Sequence, residues 1–141
     1  KKEFVKAIKY TINSEKMIKD KPKLVVADGA IGQFREEYLG RGTLAERQNQ
    51  IAHLMTHLKN ISYYFGCVVL FTNQVQSDPS IMFGDPTKPI GGNIVGHAST
   101  YRIYFKKSGR KRIARMVDSP EHPQGDAPFT LDIKGISDVE E

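Results

Sequence analysis

The stretch CVVLFTNQ, Cys67 to Gln74, runs through consecutive apolar residues and then stops on a polar triplet, Thr72, Asn73 and Gln74. A short apolar run of this kind, rich in β-branched valine and bounded by polar residues, predicts a strand covered on both faces, as strands of parallel sheets are. Upstream, KLVVAD (23–28) has the same form and ends on Asp28. Between the two runs, TLAE at 43–46 matches a capping box, in which Thr43 accepts from the backbone of Glu46 and Glu46 reaches back. The stripe Leu44, Ile51, Leu54, Met55, Leu58 and Ile61 then predicts an amphipathic helix to about Phe65, ended by Gly66. Strand, loop, helix, strand is a crossover unit, and two apolar strands joined in this way imply an α/β fold with a parallel sheet flanked by helices.

Working outward, Phe4, Val5, Ile8, Ile12, Met17 and Ile18 recur at helical steps until Pro22 stops them. The opening Lys1, already inside this pattern, is expected to belong to a chain whose natural start lies upstream. After Gln74 comes 75–92, rich in Gly, Pro and Asp, expected as a long loop without structure of its own; loops of that length in compact domains are usually functional or disordered. Beyond it, STYRIYFKK and RIARMVDS flank SGR and predict an antiparallel β-hairpin. APFTLDI is expected as a last strand and KGISDVEE as a frayed acidic tail.

The chain has 141 residues with 39% hydrophobic content, enough for one domain, so 1–141 is expected as a single domain. A net charge of +5 fits a phosphate-bearing partner without requiring one. The lone Cys67 favours a reducing, cytoplasmic setting. No run approaches the roughly 20 apolar residues of a membrane span, so no membrane role is expected.

Asp28 ends an apolar strand at the edge where parallel sheets gather ligands, a position from which a carboxylate can hold a water-clad Mg²⁺ beside nucleotide phosphates; the plain alternative is a loop Asp that only ends a strand. The amide of Gln74 can bond a phosphate oxygen and be released when that oxygen leaves, or it can merely satisfy strand-end backbone. Ile81, Met82 and Phe83 suit a loop covered by a partner such as the bases of single-stranded nucleic acid; otherwise they fold back as a small satellite core. In GAIGQFREEYLGRG, Arg35 and Arg41 interleave with Phe34 and Tyr38, a pattern that suits a nucleic-acid path as well as a solvated loop. The cations Lys106, Lys107, Arg110, Lys111 and Arg112 crowd the expected hairpin tip, where they are solvated or add phosphate contacts. His97 has no Cys or His at ligand spacing, and His53 and His57 lack the carboxylate of HExxH, so a metal cluster is not expected. No stretch fits G-x-x-x-x-G-K-[ST], the phosphate cradle of a P-loop.

Taken in order, LVVAD, FREEYLGRGTLAERQNQ, TNQV, FGDPTKPIGGNIVGHAST, RIARMVDSP and KGISD resemble the archaeal RadA recombinases, relatives of bacterial RecA and of the eukaryotic strand-exchange proteins. The likeness runs along the whole chain but covers only the C-terminal part of that family's ATPase core, a RecA-like P-loop NTPase fold whose P-loop half would lie upstream. It implies that Asp28 is the Walker-B aspartate and metal-side residue and Gln74 the γ-phosphate sensor, the two catalytic positions. It implies a first DNA-binding loop at 29–42, with Arg35, Tyr38, Arg41 and the helix-borne Arg47, and a second at 75–92, with Met82, Phe83, Gly91 and Gly92, and DNA contact also by the adjoining Asn93. Asp118, Ser119 and Pro120 would cap the nucleotide of a neighbouring subunit, with His97 close to that shared site. The cofactors implied are ATP and Mg²⁺, with room for a monovalent cation near Asp118. The partners are single- and double-stranded DNA and further copies in a filament or ring, in a nucleoid-associated setting. One departure is Gly29, where the family has a hydroxyl residue. The resemblance implies a DNA-dependent ATPase in the full-length protein and no hydrolysis by this chain alone; the competing reading is a non-catalytic accessory module of the same fold that binds DNA or a recombinase.

Overall fold

The computed structural model describes residues 15–29, 31, 32, 34, 41–83 and 86–139. They fall into two compact units, 1–98 and 99–141.

In the first unit, α1 (Glu15–Asp20) leads to β1 (Leu24–Ala27), a 3₁₀ turn (Arg41–Thr43), α2 (Leu44–Phe65) and β2 (Val68–Phe71). β1 and β2 pair in parallel with Ala27 opposite Phe71, so the expected crossover unit is present. The helix α2 supplies most of the core: Ile51, Leu54, Met55, Leu58 and Ile61 are buried together with Ile31, Phe34, Cys67, Ile90 and Val95. Five aliphatic side chains on one stripe of a 22-residue helix explain why it forms, since tertiary burial of an amphipathic face outweighs propensity. Its end is closed by Gly66, whose N–H donates to the Ser62 carbonyl.

Three expectations are corrected here. Thr43 stands at the helix start but makes no side-chain cap hydrogen bond; the 3₁₀ turn runs straight into α2, leaving Thr43 at φ −101 and ψ 4 instead of the extended conformation a capping side chain needs. The strands are covered on one face only: Val25, Ala27, Val69 and Phe71 pack on the core, while Leu24, Val26, Val68 and Leu70 are exposed. Alternating side chains in a two-stranded sheet with its helix on one side can bury only every second residue. The segment after Gln74 is not structureless. β3 (Val75–Ser77) and β4 (Thr87–Pro89) form an antiparallel stem, and α3 (Gly92–Ala98) follows at once.

The second unit is a four-stranded antiparallel sheet in the order β5 (Arg102–Ser108), β6 (Lys111–Asp118), β7 (Gly125–Asp132), β8 (Gly135–Asp138). The expected hairpin is β5–β6. The antiparallel part is larger than expected, because GISD, read as a frayed tail, pairs with β7 through Leu131 opposite Ile136 and Asp132 opposite Gly135. A four-residue edge strand is too short to announce itself by periodicity; the turn that starts it is held by the Asp132 carboxylate, which accepts the Lys134 N–H at 2.7 Å. Among the described residues no helix is long and apolar enough to cross a membrane.

Candidate functional site

Register sets the first part of the site. Because Ala27 lies opposite Phe71, the next residues on each strand, Asp28 and Thr72, leave the same edge of the sheet side by side. The Thr72 hydroxyl donates to Asp28 Oδ1 at 2.5 Å and accepts the Gly29 backbone N–H at 2.7 Å. Thr72 N–H donates to the Ala27 carbonyl at 3.2 Å, which continues the ladder one residue past the strands. The turn needs Gly29 at φ +65, a region that costs an L-residue roughly 1–2 kcal/mol. The Asp28 carboxylate is thus fixed from the neighbouring strand, and the Gly29 backbone serves as donor to the same hydroxyl. Among the described residues no three His, Cys, Asp or Glu side chains gather as a metal cage. One oriented carboxylate fits a Mg²⁺ that keeps most of its waters and binds chiefly through phosphates.

The second part begins two residues further on. The Asn73 amide Nδ2 donates to the Ile90 carbonyl at 2.7 Å, and the Ile90 N–H donates to the Gln74 carbonyl at 3.0 Å. Ile90 is buried in the core, so the returning end of the long segment is pinned beside its point of departure. Farther out, Asp78 clips the stem: Lys88 Nζ lies 2.7 Å from its carboxylate, Ser80 donates through both N–H and hydroxyl, and Asp78 N–H reaches the Pro86 carbonyl at 2.7 Å. Lys88 and Ser80 together hold the Asp78 carboxyl far below the usual carboxylate range. At the tip Ile81 is half-buried, whereas Met82 and Phe83 are 86% and 92% exposed.

The other expected residues separate into groups. Arg35 and Tyr38 lie outside the described residues, as does the side chain of Arg41, whose backbone opens the 3₁₀ turn. Phe34 is a correction: it is buried in the same apolar cluster as Ile31 and the α2 stripe, so its ring is spent on the core and offers no face for stacking. Arg47 is half-buried on the first turns of α2. Gly91 and Gly92 both have positive φ, +87 and +55, and Asn93 and His97 are exposed on α3. In the second unit the Asp118 carboxylate accepts from Arg102 at 2.8 Å, Ser119 Oγ accepts the backbone N–H groups of Glu121 and His122, and Pro120 is exposed. There Arg115 makes a two-point ion pair with Asp126 at 2.6 and 2.7 Å, which lowers the Asp126 carboxyl. Asp28 and Thr72 are therefore brought together in the first unit, with Gln74 two residues beyond Thr72 on the same backbone, and the Asp118–Pro120 turn belongs to the second. Thr72 is the residue sequence reasoning missed; a hydroxyl one place beyond a strand in register with Asp28 was the available signal.

An α/β crossover unit with a strand-end carboxylate, a strand-end amide and a long clipped loop on one sheet edge defines the class. The chain matches Rad51 over residues 5–139 and belongs to the Rad51 family. It is 54% identical over 120 residues to the "DNA repair and recombination protein RadA" of Cenarchaeum symbiosum, an alignment covering 84% of this chain and 30% of that protein. Proteins of the same description from Methanocorpusculum labreanum and Methanoculleus marisnigri are 53% and 52% identical over 115 residues, 81% of this chain and 35% and 36% of theirs. The chain thus spans about a third of the length of these curated relatives.

Proposed function

We propose that the chain is the C-terminal part of the ATPase core of a DNA recombinase. The whole protein would bind single-stranded DNA with ATP and Mg²⁺, assemble as a filament or ring, and exchange strands with a homologous duplex. The observation that carries this reading is the spacing along one backbone: Thr72 holds Asp28, while Asn73 and Gln74 hold the base of the exposed loop. A nucleotide-side carboxylate and a loop suited to bases are therefore separated by the triplet 72–74 alone.

In this reading Asp28 orients the waters of Mg²⁺ and Gln74 bonds the terminal phosphate. Met82 and Phe83 wedge between bases, Arg35, Arg41 and Arg47 meet phosphates, Tyr38 stacks, and Gly91, Gly92 and Asn93 let the strand approach the backbone. His97, Asp118, Ser119 and Pro120 serve the nucleotide shared with a neighbouring copy, with any monovalent cation close to Asp118. Hydrolysis belongs to the whole protein, because the phosphate cradle is not among these residues. A cytoplasmic, nucleoid-associated setting goes with the same reading.

The test is a titration of full-length protein with oligothymidylate, with and without ATP and Mg²⁺, at several salt concentrations. Binding is expected to tighten with nucleotide and to weaken with salt, since phosphate contacts release counterions. Arg41→Ala is expected to weaken binding on every sequence and to flatten the log–log salt slope by about one ion. Absence of DNA binding by the unaltered protein overturns the function, and an unchanged slope removes Arg41 from the path.

A further inference from the structure

We propose that Asn73 is a positioning residue that sets the base of the long loop, and so decides whether a change at the nucleotide corner reaches the exposed tip; this rests on the function proposed above. The residue forms a clasp. Its side-chain amide holds the carbonyl of Ile90, while the N–H of the same Ile90 is held by the carbonyl of Gln74. Both backbone polar groups of one buried residue are therefore taken by two consecutive residues across the loop. Ile90 cannot shift without Asn73 and Gln74, nor can they shift without it.

The geometry on the other side completes the device. Thr72, one residue earlier, is bound to Asp28 and Gly29 through its hydroxyl and to Ala27 through its N–H. Residues 72–74 act as a crossbar: one end is fixed to the strand-end carboxylate, the other to the loop's return. Gln74 contributes only its carbonyl to the clasp, which leaves its exposed side chain available for a ligand.

A second observation separates Asn73 from an ordinary structural amide. Its Oδ1 is buried and has no hydrogen-bond partner among the described residues. A buried acceptor left unsatisfied is destabilising, and such groups are rare in native proteins. An aliphatic residue of the same branched outline would avoid that cost. What it would not supply is the Nδ2–H on Ile90. The amide therefore supplies orientation at some expense of stability.

The experiment uses full-length protein carrying Asn73→Leu, which keeps the number of side-chain heavy atoms and their branched outline while removing donor and orphaned acceptor together, and Asn73→Asp, which sets a carboxylate against the Ile90 carbonyl. Four quantities are read: ATP affinity, melting temperature, the ratio of oligothymidylate affinities with and without ATP and Mg²⁺, and hydrogen exchange at the Ile90 amide. Both variants are expected to keep ATP affinity, and Asn73→Leu to keep the melting temperature. The nucleotide-dependent tightening is expected to fall by about 5- to 50-fold, and Ile90 exchange to accelerate by roughly tenfold or more. Tightening and exchange equal to the unaltered protein in both variants overturn the proposal. So does a parallel loss of stability, ATP affinity and DNA affinity with the ratio intact, which is the signature of packing alone. If the unaltered protein binds no oligothymidylate, the functional reading fails, while Ile90 exchange still reports on the clasp.

Discussion

Full-length protein carrying Gln74→Ala is expected to bind ATP much as the unaltered protein does and to lose the tightening that ATP confers on single-stranded DNA. The side chain of Gln74 is exposed, so its removal costs little stability. Its backbone carbonyl still accepts the Ile90 N–H, and the clasp at the loop base remains. What disappears is the only part of the triplet free to follow a phosphate oxygen. Couplings between two sites in one protein typically amount to 1–3 kcal/mol, or about 5- to 150-fold in affinity, and the whole of it should vanish. The measurement is the ratio of oligothymidylate affinities with and without nucleotide. A ratio that survives the substitution removes Gln74 as the sensor.

The two adjacent glycines at the end of the loop should respond very differently to alanine. A Cβ on Gly91 would lie 2.5 Å from Val95 Cγ2 and 3.6 Å from Ile51 Cγ2, whereas at Gly92 nothing lies within 4 Å. Val95 is buried, and a β-branched side chain in a helix has one strongly favoured rotamer, so it cannot swing aside. Overpacking of this kind costs about 1–3 kcal/mol, and the left-handed backbone at φ +87 adds roughly 1–2. Gly91→Ala is therefore expected to destabilise by about 2–5 kcal/mol. Gly92→Ala should carry only the backbone part, about 1–2 kcal/mol. Urea titration of both variants measures the difference; equal losses would show that Gly91 is not held by α2 and α3. Weak DNA binding by Gly91→Ala would then reflect a damaged core more than a lost contact.

The parallel pair and the helix between its strands were legible because apolar runs and a 3.6-residue stripe are direct signals of burial. The edge carrying Asp28 and Gln74 was legible for the same reason, since register follows once the two strands are paired. The clasp was not. That Asn73 and not Gln74 turns its amide to Ile90 depends on where residue 90 returns, sixteen residues after Gln74, and no local pattern encodes this. Phe34 misled because an aromatic among arginines looks the same on paper whether it stacks on a base or packs in the core. β8 escaped notice because GISD has no alternation to read and forms by pairing with Leu131 and its neighbours.

Leu24, Val26, Val68 and Leu70 leave one flank of the parallel pair greasy, and each of its two strands has an outer backbone edge with no ladder partner among the described residues. Bare aliphatic flanks beside open edges are the usual starting point for strand-by-strand stacking between molecules. A chain of this sequence produced in isolation would owe its dispersal in water to mutual repulsion from a charge of +5. Raising the salt should then be enough to make it clump.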